Sequence, residues 1–136
     1  MTTDVLLVAA TALHAGFQLV VTLVVYPALA STPAERWPAA HAAHGRRIVP
    51  VVGVVYGSVV VAVVLAVADG VRVAEGVAVA VSMSAFALTA FVAWPAHGRL
   101  GRGWDERVLR RLVVADRLRL AAALGAAAAA LLAAVD

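Results

Sequence analysis

Residues 5–30 read VLLVAATALHAGFQLVVTLVVYPALA, and this uncharged stretch decides the fold. A helix needs about 20 predominantly apolar residues to cross the ~30 Å hydrocarbon layer of a membrane. Two more uncharged stretches follow, at residues 48–68 and 76–96. The last apolar run, residues 120–135, is shorter. It reaches a spanning length only if its helix also includes the residues of mixed polarity from about 113 onward. We therefore predict four transmembrane helices, at about 5–30, 48–68, 76–96 and 113–135.

The composition of the whole chain agrees with this prediction. Of the 136 residues, 64% are hydrophobic, and the mean hydropathy is +0.97. Soluble domains are about 45–50% apolar, and one of this length could not cover so much apolar surface. We expect a single domain over residues 1–136 with the fold class all-α, an integral membrane four-helix bundle with the lipid bilayer as its partner.

Charge and cysteine content narrow the function classes. The net charge of +3 is small and clustered near the ends of the spans, which is typical of membrane topology and argues against nucleic acid as a partner. Cysteine is absent, so disulfides and thiolate metal sites are excluded.

Two local patterns predict helix starts. Thr32-Pro33-Ala34-Glu35 combines a hydroxyl N-cap with a proline in the first turn and a glutamate three residues after the cap. The mixed segment from there to Arg47 is predicted to form a short interfacial helix before the second span. Asp105 is predicted to cap the last helix.

Arginine placement predicts the orientation. The first connection contains Arg36, Arg46 and Arg47, whereas the second contains only Arg72. A larger group surrounds the third connection: Arg99, Arg102, Arg107, Arg110, Arg111, Arg117 and Arg119. Cytoplasmic loops carry the excess of arginine. We therefore predict a bacterial cytoplasmic membrane protein with both termini outside and the first and third connections in the cytoplasm.

The first helix carries a polar stripe where lipid would not tolerate one. Thr11, His14, Gln18 and Thr22 follow spacings of three and four residues and so share one helical face. Polar side chains in a membrane generally face the bundle interior. The stripe either holds helices together or, through His14, binds a cofactor or relays protons.

Three histidines and one aspartate are predicted to meet at the cytoplasmic mouth. His41 and His44 share a helical face, His97 directly follows the third span, and Asp116 lies at the same level of the last helix. We interpret His44, His97 and Asp116 as catalytic candidates. His41, His44 and His97 would also form a sensible ligand set for a copper or iron ion, with haem as the weaker candidate. A structural role for histidines at the interface remains the alternative.

Polar and aromatic neighbours of this cluster are candidates for substrate binding. Arg46, Arg47 and Arg119 flank the histidines and could hold an anionic or phenolate group, with Tyr26 and Trp94 beside them. Anchoring on anionic lipid is the alternative role for arginines at this membrane face.

Four short motifs carry a family resemblance. They are Tyr26-Pro27-Ala28-Leu29, His44-Gly45-Arg46-Arg47, Pro95-Ala96-His97-Gly98-Arg99-Leu100 and Asp116-Arg117-Leu118-Arg119. In this order the chain resembles the small four-helix bacterial membrane proteins related to the fungal anthrone oxygenases. The resemblance implies oxygenation of a lipophilic aromatic or quinone-like substrate, with the mouth histidines as candidate groups.

The first helix also resembles that of the four-helix protoporphyrinogen oxidases, which bind haem b. The likeness is carried by Leu13-His14, Phe17 and the proline after Tyr26. The chain departs from that family later, since it contains no lysine and no Asn-Glu-x-Pro element.

Three functions follow from these patterns. The first is a membrane-embedded oxidoreductase that acts on a lipophilic small molecule at the histidine-rich mouth. The second is a non-enzymatic membrane subunit or interaction protein, because Gly53, Gly57 and Ser58 favour close helix packing. The third is a small transporter or metal-handling protein, for which His14 is the mid-span polar group and homo-oligomerisation would be needed.

Overall fold

The computed structural model describes residues 2–135, and these form an all-α bundle of four helices long and apolar enough to cross a membrane. The helices have the following bounds: α1, Thr2–Val20 with a π-helical turn at Val21–Val25 and an α-helical end at Tyr26–Ala30; α2, a 3-10 turn at Ala34–Arg36 followed by Trp37–Asp69; α3, Val73–Leu88 with a π-helical turn at Thr89–Ala93 and an end at Trp94–Leu100; and α4, Glu106–Val135. The prediction of an all-α membrane bundle is confirmed.

The segment before the second span is helical, but it is not a separate helix. Trp37–Asp69 is one continuous helix that passes through Pro50. Proline is tolerated in spanning helices because neighbouring groups satisfy the freed carbonyl. α2 is therefore longer than the predicted span and includes the residues expected at the interface.

Only one of the two predicted caps is formed. The first turn of α2 has Pro33 as its N-cap, and no side chain of the described chain caps it, so Thr32 does not act as predicted. Asp105 does cap α4, because its Oδ1 accepts hydrogen bonds from the backbone amides of Arg107 and Val108 at 2.9 and 3.1 Å.

Each π-helical turn ends two residues before a proline. Pro27 and Pro95 cannot donate a backbone hydrogen bond, and their rings crowd the preceding turn. The chain adapts by widening that turn, so that the amide of Tyr26 donates to the carbonyl of Val21, five residues back. Trp94 and Thr89 make the same bond in α3. The widened turns place Tyr26 and Trp94 at matching positions near the ends of α1 and α3.

Polarity is distributed as expected for a protein in lipid. Large apolar side chains on the outside are exposed, such as Leu23, Val54 and Leu132. By contrast, polar side chains are buried inside: Thr11, His14, Gln18, Ser82, Asp116 and Arg119. Apolar residues can face hydrocarbon at no cost, whereas polar groups need partners within the bundle.

The helices are not packed equally around the bundle. α1 packs against α2 and α4, and α4 packs closely against α3, but α2 hardly touches α3. α3 and α4 both bury small residues, including Ala85 and Ala123, and such residues allow helix backbones to approach closely. The seam between α2 and α3 is the most loosely packed side of the bundle.

An ionic cluster joins the helices at the end of the bundle away from the histidines. Arg72 Nη2 donates to Asp4 at 2.8 Å, to Glu75 at 3.1 Å and to the carbonyl of Ala133 at 3.0 Å. The hydrogen bond to Glu75 raises the pKa of the Arg72 guanidinium. One side chain in the short α2–α3 connection thus ties α1, α3 and α4 together.

Candidate functional site

A cavity of about 350 Å³ lies between α2 and α3, within the range of small-molecule pockets. All four helices contribute to its lining, although α4 contributes only Arg119. The lining residues are Phe17, Gln18, Val21, Tyr26, His41, His44, Gly45, Ile48, Val49, Val52, Tyr56, Thr89, Ala93, Trp94, His97, Gly98 and Arg119. Apolar walls therefore surround a small number of polar groups.

Two bridges between α2 and α3 delimit the cavity. At the mouth, His41 Nε2 lies 3.3 Å from His97 Nδ1, and the indole of Trp37 donates to the carbonyl of Leu100 at 2.9 Å. At the inner end, the hydroxyl of Tyr56 lies 2.7 Å from that of Thr89. These bridges hold the two helices in register while the seam between them stays open.

A chain of hydrogen bonds crosses the mouth from Arg119 to His41. Arg119 Nη2 lies 3.3 Å from the hydroxyl oxygen of Tyr26, which lies 3.1 Å from His97 Nε2. Arginine can only donate, so it leaves the hydroxyl proton of Tyr26 free to be donated to His97. His97 then carries its own proton on Nδ1 and donates it to His41. In this arrangement each donor has one acceptor, with the proton of His97 on Nδ1.

Asp116 lies behind this chain, buried and outside the cavity lining. Its Oδ1 accepts hydrogen bonds from Arg119 Nη2 at 2.9 Å and from Gln18 Nε2 at 2.5 Å. Asp116 and Arg119 therefore form a buried ion pair. Because Asp116 does not line the cavity, its role in this geometry is to balance the charge of Arg119 and to orient its guanidinium.

His44 differs from the other two mouth histidines. It lines the cavity, and its ring stacks on that of His97 with centroids 6.0 Å apart, but it makes no hydrogen bond to any group of the described chain. A neutral imidazole with a free ring nitrogen can accept a proton. His44 is therefore the cavity histidine best suited to act as a base.

The metal-ligand prediction for His41, His44 and His97 gains no support. Among residues 2–135 no group of three or more histidine, aspartate or glutamate side chains is arranged to hold a metal ion. The physical reason is the orientation of the rings. His41 and His97 point nitrogens at each other, whereas His44 stacks on the face of His97, so the in-plane lone pairs of the three rings do not converge.

Two buried polar atoms at the inner part of the cavity lack a partner. Arg119 Nε and Gln18 Oε1 have no hydrogen-bond partner within residues 2–135, and both side chains line the cavity. An unsatisfied buried polar group costs about 1–3 kcal/mol. Two side chains of the cavity wall thus carry an unpaired donor and an unpaired acceptor, both of them buried.

His14 lies beyond the floor of the cavity. Its ring meets that of the lining residue Tyr56 edge-on, with centroids 4.9 Å apart, and His14 itself does not line the cavity. Both ring nitrogens are buried without a hydrogen-bond partner in the described structure. His14 is therefore close to the site without being part of it.

The rest of the polar stripe has divided roles. Gln18 reaches across to Asp116 on α4, as expected for a residue that holds helices together. Thr11 instead donates to the carbonyl of Leu7 in its own helix at 2.7 Å. Thr22 is half-buried on the same face.

The predicted substrate-binding residues separate into two groups. Tyr26 and Arg119 are buried in the cavity wall, and Trp94 stands at its edge with 70% of its surface exposed. Arg46 and Arg47 are exposed and do not line the cavity, so their contact with a substrate stays a prediction. Arg46 follows His44 by two residues, which turns it to another face of α2.

Sequence reasoning missed Tyr56 and Thr89, which form the inner end of the site. Both are polar groups inside otherwise apolar spans, a signal that alone marks a residue as a candidate for function or helix contact. Without the α2–α3 register, the sequence did not indicate that they pair.

The fold and the site together define a membrane-spanning helical bundle with a cavity whose largely apolar walls carry a few polar groups. In comparisons with known proteins, no protein-family model, no curated protein and no solved structure matches this chain.

Proposed function

We propose that this protein is a membrane-embedded oxidoreductase that oxygenates a lipophilic aromatic or quinone-like substrate. The observation that carries the proposal is the cavity itself, whose largely apolar walls include His44, which makes no hydrogen bond in the described structure, and Arg119, whose Nε–H has no partner there. A ring system with one oxygen substituent fits these groups. The resemblance of the four sequence motifs to the anthrone oxygenase relatives points to the same chemistry.

The residues suggest a simple sequence of steps for a ring CH2 group that is conjugated to a ketone through an aromatic ring, as in anthrone. Arg119 donates to the ketone oxygen while His44 removes a proton from the CH2 carbon, which gives an enolate. The enolate transfers electrons to dioxygen, a carbon–oxygen bond forms, and His44 returns the proton to give a hydroperoxide. Loss of the second C–H proton and cleavage of the O–O bond yield a second ketone and water, so that one O2 is consumed for each CH2 oxidised to C=O.

Oxygen consumption tests this proposal. The purified protein in lipid nanodiscs, supplied with anthrone, is expected to consume O2 faster than empty nanodiscs do, with anthraquinone as the product. General-base catalysis contributes about 10²–10⁴-fold, so His44→Gln is expected to lower the rate at least ~100-fold.

The matched control is Arg36→Gln, an exposed residue at the start of the same helix, which is expected to leave the rate within about twofold of the parent. The proposal is contradicted if the parent protein consumes O2 no faster than empty nanodiscs do. It is also contradicted if His44→Gln and Arg36→Gln lower the rate of O2 consumption equally.

A role as a membrane subunit is the second candidate, and one observation favours it. Gly53 and Gly57 are exposed on α2, and no described atom lies within 4 Å of where a Cβ would be at either position. Glycines four residues apart in an apolar helix allow another helix to approach closely. If this surface holds a partner helix, Gly57→Leu should abolish a complex seen on purification from mild detergent, whereas the substitution should leave an enzyme that acts alone unaffected.

A further inference from the structure

The seam between α2 and α3 is closed at two levels and open between them. The bridge from His41 to His97 closes it at the mouth, and the pair Tyr56–Thr89 closes it further in. His41 and Tyr56 are separated by about 22 Å along α2, at 1.5 Å per residue. Between the two bridges α2 and α3 make few contacts.

The residues along this opening are apolar and face outward. Val49 on α2 is 54% exposed and Trp94 on α3 is 70% exposed, and both also line the cavity. Val52 is half-buried one turn further in. In a bilayer these side chains face hydrocarbon, so the cavity opens sideways into the membrane rather than only toward water.

Three polar groups of the same cavity come from the helices away from the opening. Gln18, Tyr26 and Arg119 come from α1 and α4, the two helices that do not form the opening, and each is buried. A molecule held between these groups and the opening would have a polar head inside and an apolar end in lipid. The volume of about 350 Å³ holds a small ring system, and it leaves no room for a long chain as well.

We infer that the opening between α2 and α3 is a lateral window through which a tailed amphiphile enters from the bilayer, with a small oxygen-bearing ring as its head and a hydrocarbon chain that stays in the lipid. The head reaches Arg119 and the mouth histidines, and the chain passes out between Val49 and Trp94. What happens to the bound head rests on the proposed function. The window itself is a feature of binding, so it can be tested without any reaction.

Equilibrium binding of two probes to the protein in nanodiscs tests the window. One probe is 2-hydroxy-1,4-naphthoquinone with a decyl chain on the quinone ring, and the other is the same ring without the chain. Val49→Trp, which narrows the window, is expected to weaken binding of the tailed probe at least ~10-fold and that of the bare ring less than ~3-fold. Val54→Trp is the matched control, since Val54 lies on the same helix, is 70% exposed and does not line the cavity.

The outcomes separate the window from the enzymatic proposal. Selective loss of the tailed probe in Val49→Trp supports the window, even if the parent oxidises no substrate. If Val49→Trp weakens the binding of both probes equally, or of neither probe, the window is overturned.

Photocrosslinking gives a second, independent readout. A benzophenone amino acid at position 49 is expected to label the decyl chain of a bound probe. A crosslink to a second copy of the chain instead would mean that protein covers the opening, and it would also overturn the inference.

Discussion

The hydroxyl of Tyr26 lies 3.1 Å from His97 Nε2, and this contact joins the ends of the two helices that carry π-helical turns. Each turn results from the proline that follows it, at Pro27 and Pro95. Two prolines that weaken local helix geometry thus set the position of the central hydrogen bond of the site.

Removing the Tyr26 hydroxyl is expected to impair ligand binding more than folding. Tyr26→Phe deletes the acceptor of Arg119 and the donor to His97. A hydrogen bond to a charged group contributes about 1.5–3 kcal/mol, so binding of 2-hydroxy-1,4-naphthoquinone should weaken about 10- to 100-fold. Tyr56→Phe, which breaks only the inner bridge to Thr89, should weaken it less. Equal effects of the two variants would contradict a specific role of the Tyr26 hydroxyl in ligand binding.

The Arg119–Asp116 pair should behave as a unit in unfolding. Removing one partner of a buried pair typically costs about 3–5 kcal/mol, because it leaves an uncompensated charge. Arg119→Met is therefore expected to lower the free energy of unfolding in detergent by this amount. The double variant Asp116→Asn/Arg119→Met should recover most of the loss. Additive losses in the double variant would show that the two side chains do not interact as the 2.9 Å contact implies.

Two members of the polar stripe should differ in their contribution to stability. Gln18 bonds across the bundle to Asp116, whereas Thr11 bonds within its own helix. Gln18→Leu is expected to lower the free energy of unfolding by about 1.5–3 kcal/mol, since the bond is to a charged group. Thr11→Val should cost less than ~1 kcal/mol, because the Leu7 carbonyl remains in the helix hydrogen-bond pattern. A larger loss for Thr11→Val than for Gln18→Leu would rule out these roles.

His14 should be replaceable by an apolar residue. Both of its ring nitrogens are buried and unpaired in the described structure, at a cost of about 1–3 kcal/mol for each unsatisfied group. His14→Leu is expected to raise the thermal unfolding temperature and to leave binding of the naphthoquinone within about threefold. A lowered unfolding temperature would mean that the imidazole makes a stabilising interaction beyond the contacts with Tyr56 and Phe86.

Hydropathy was sufficient to predict the four helices, since uncharged runs such as 5–30 have few alternatives in a chain this apolar. The three-residue spacing of His41 and His44 also predicted that they share a face, and both line the cavity. The continuity of α2 through Pro50 was missed, because mixed polarity near the membrane surface resembles a separate interfacial helix.

The window could not be predicted from the sequence, because hydropathy does not encode which helices are neighbours. The exposure of Arg46 and Arg47 depends on the helical rotation of α2 relative to α3, which is set by contacts such as Trp37 with the Leu100 carbonyl. The pairing of Tyr56 with Thr89 depends on the same register.

The most direct test of the central claim is the affinity of 2-hydroxy-1,4-naphthoquinone for Arg119→Lys in nanodiscs. Lysine keeps a positive charge beside Asp116 but lacks the Nε–H and the planar fork of arginine. The account predicts at least ~10-fold weaker binding to Arg119→Lys than to the parent, with no change for Arg117→Lys, whose side chain is exposed on the same helix. Equal affinity for Arg119→Lys and the parent, or no saturable binding to the parent, would contradict it.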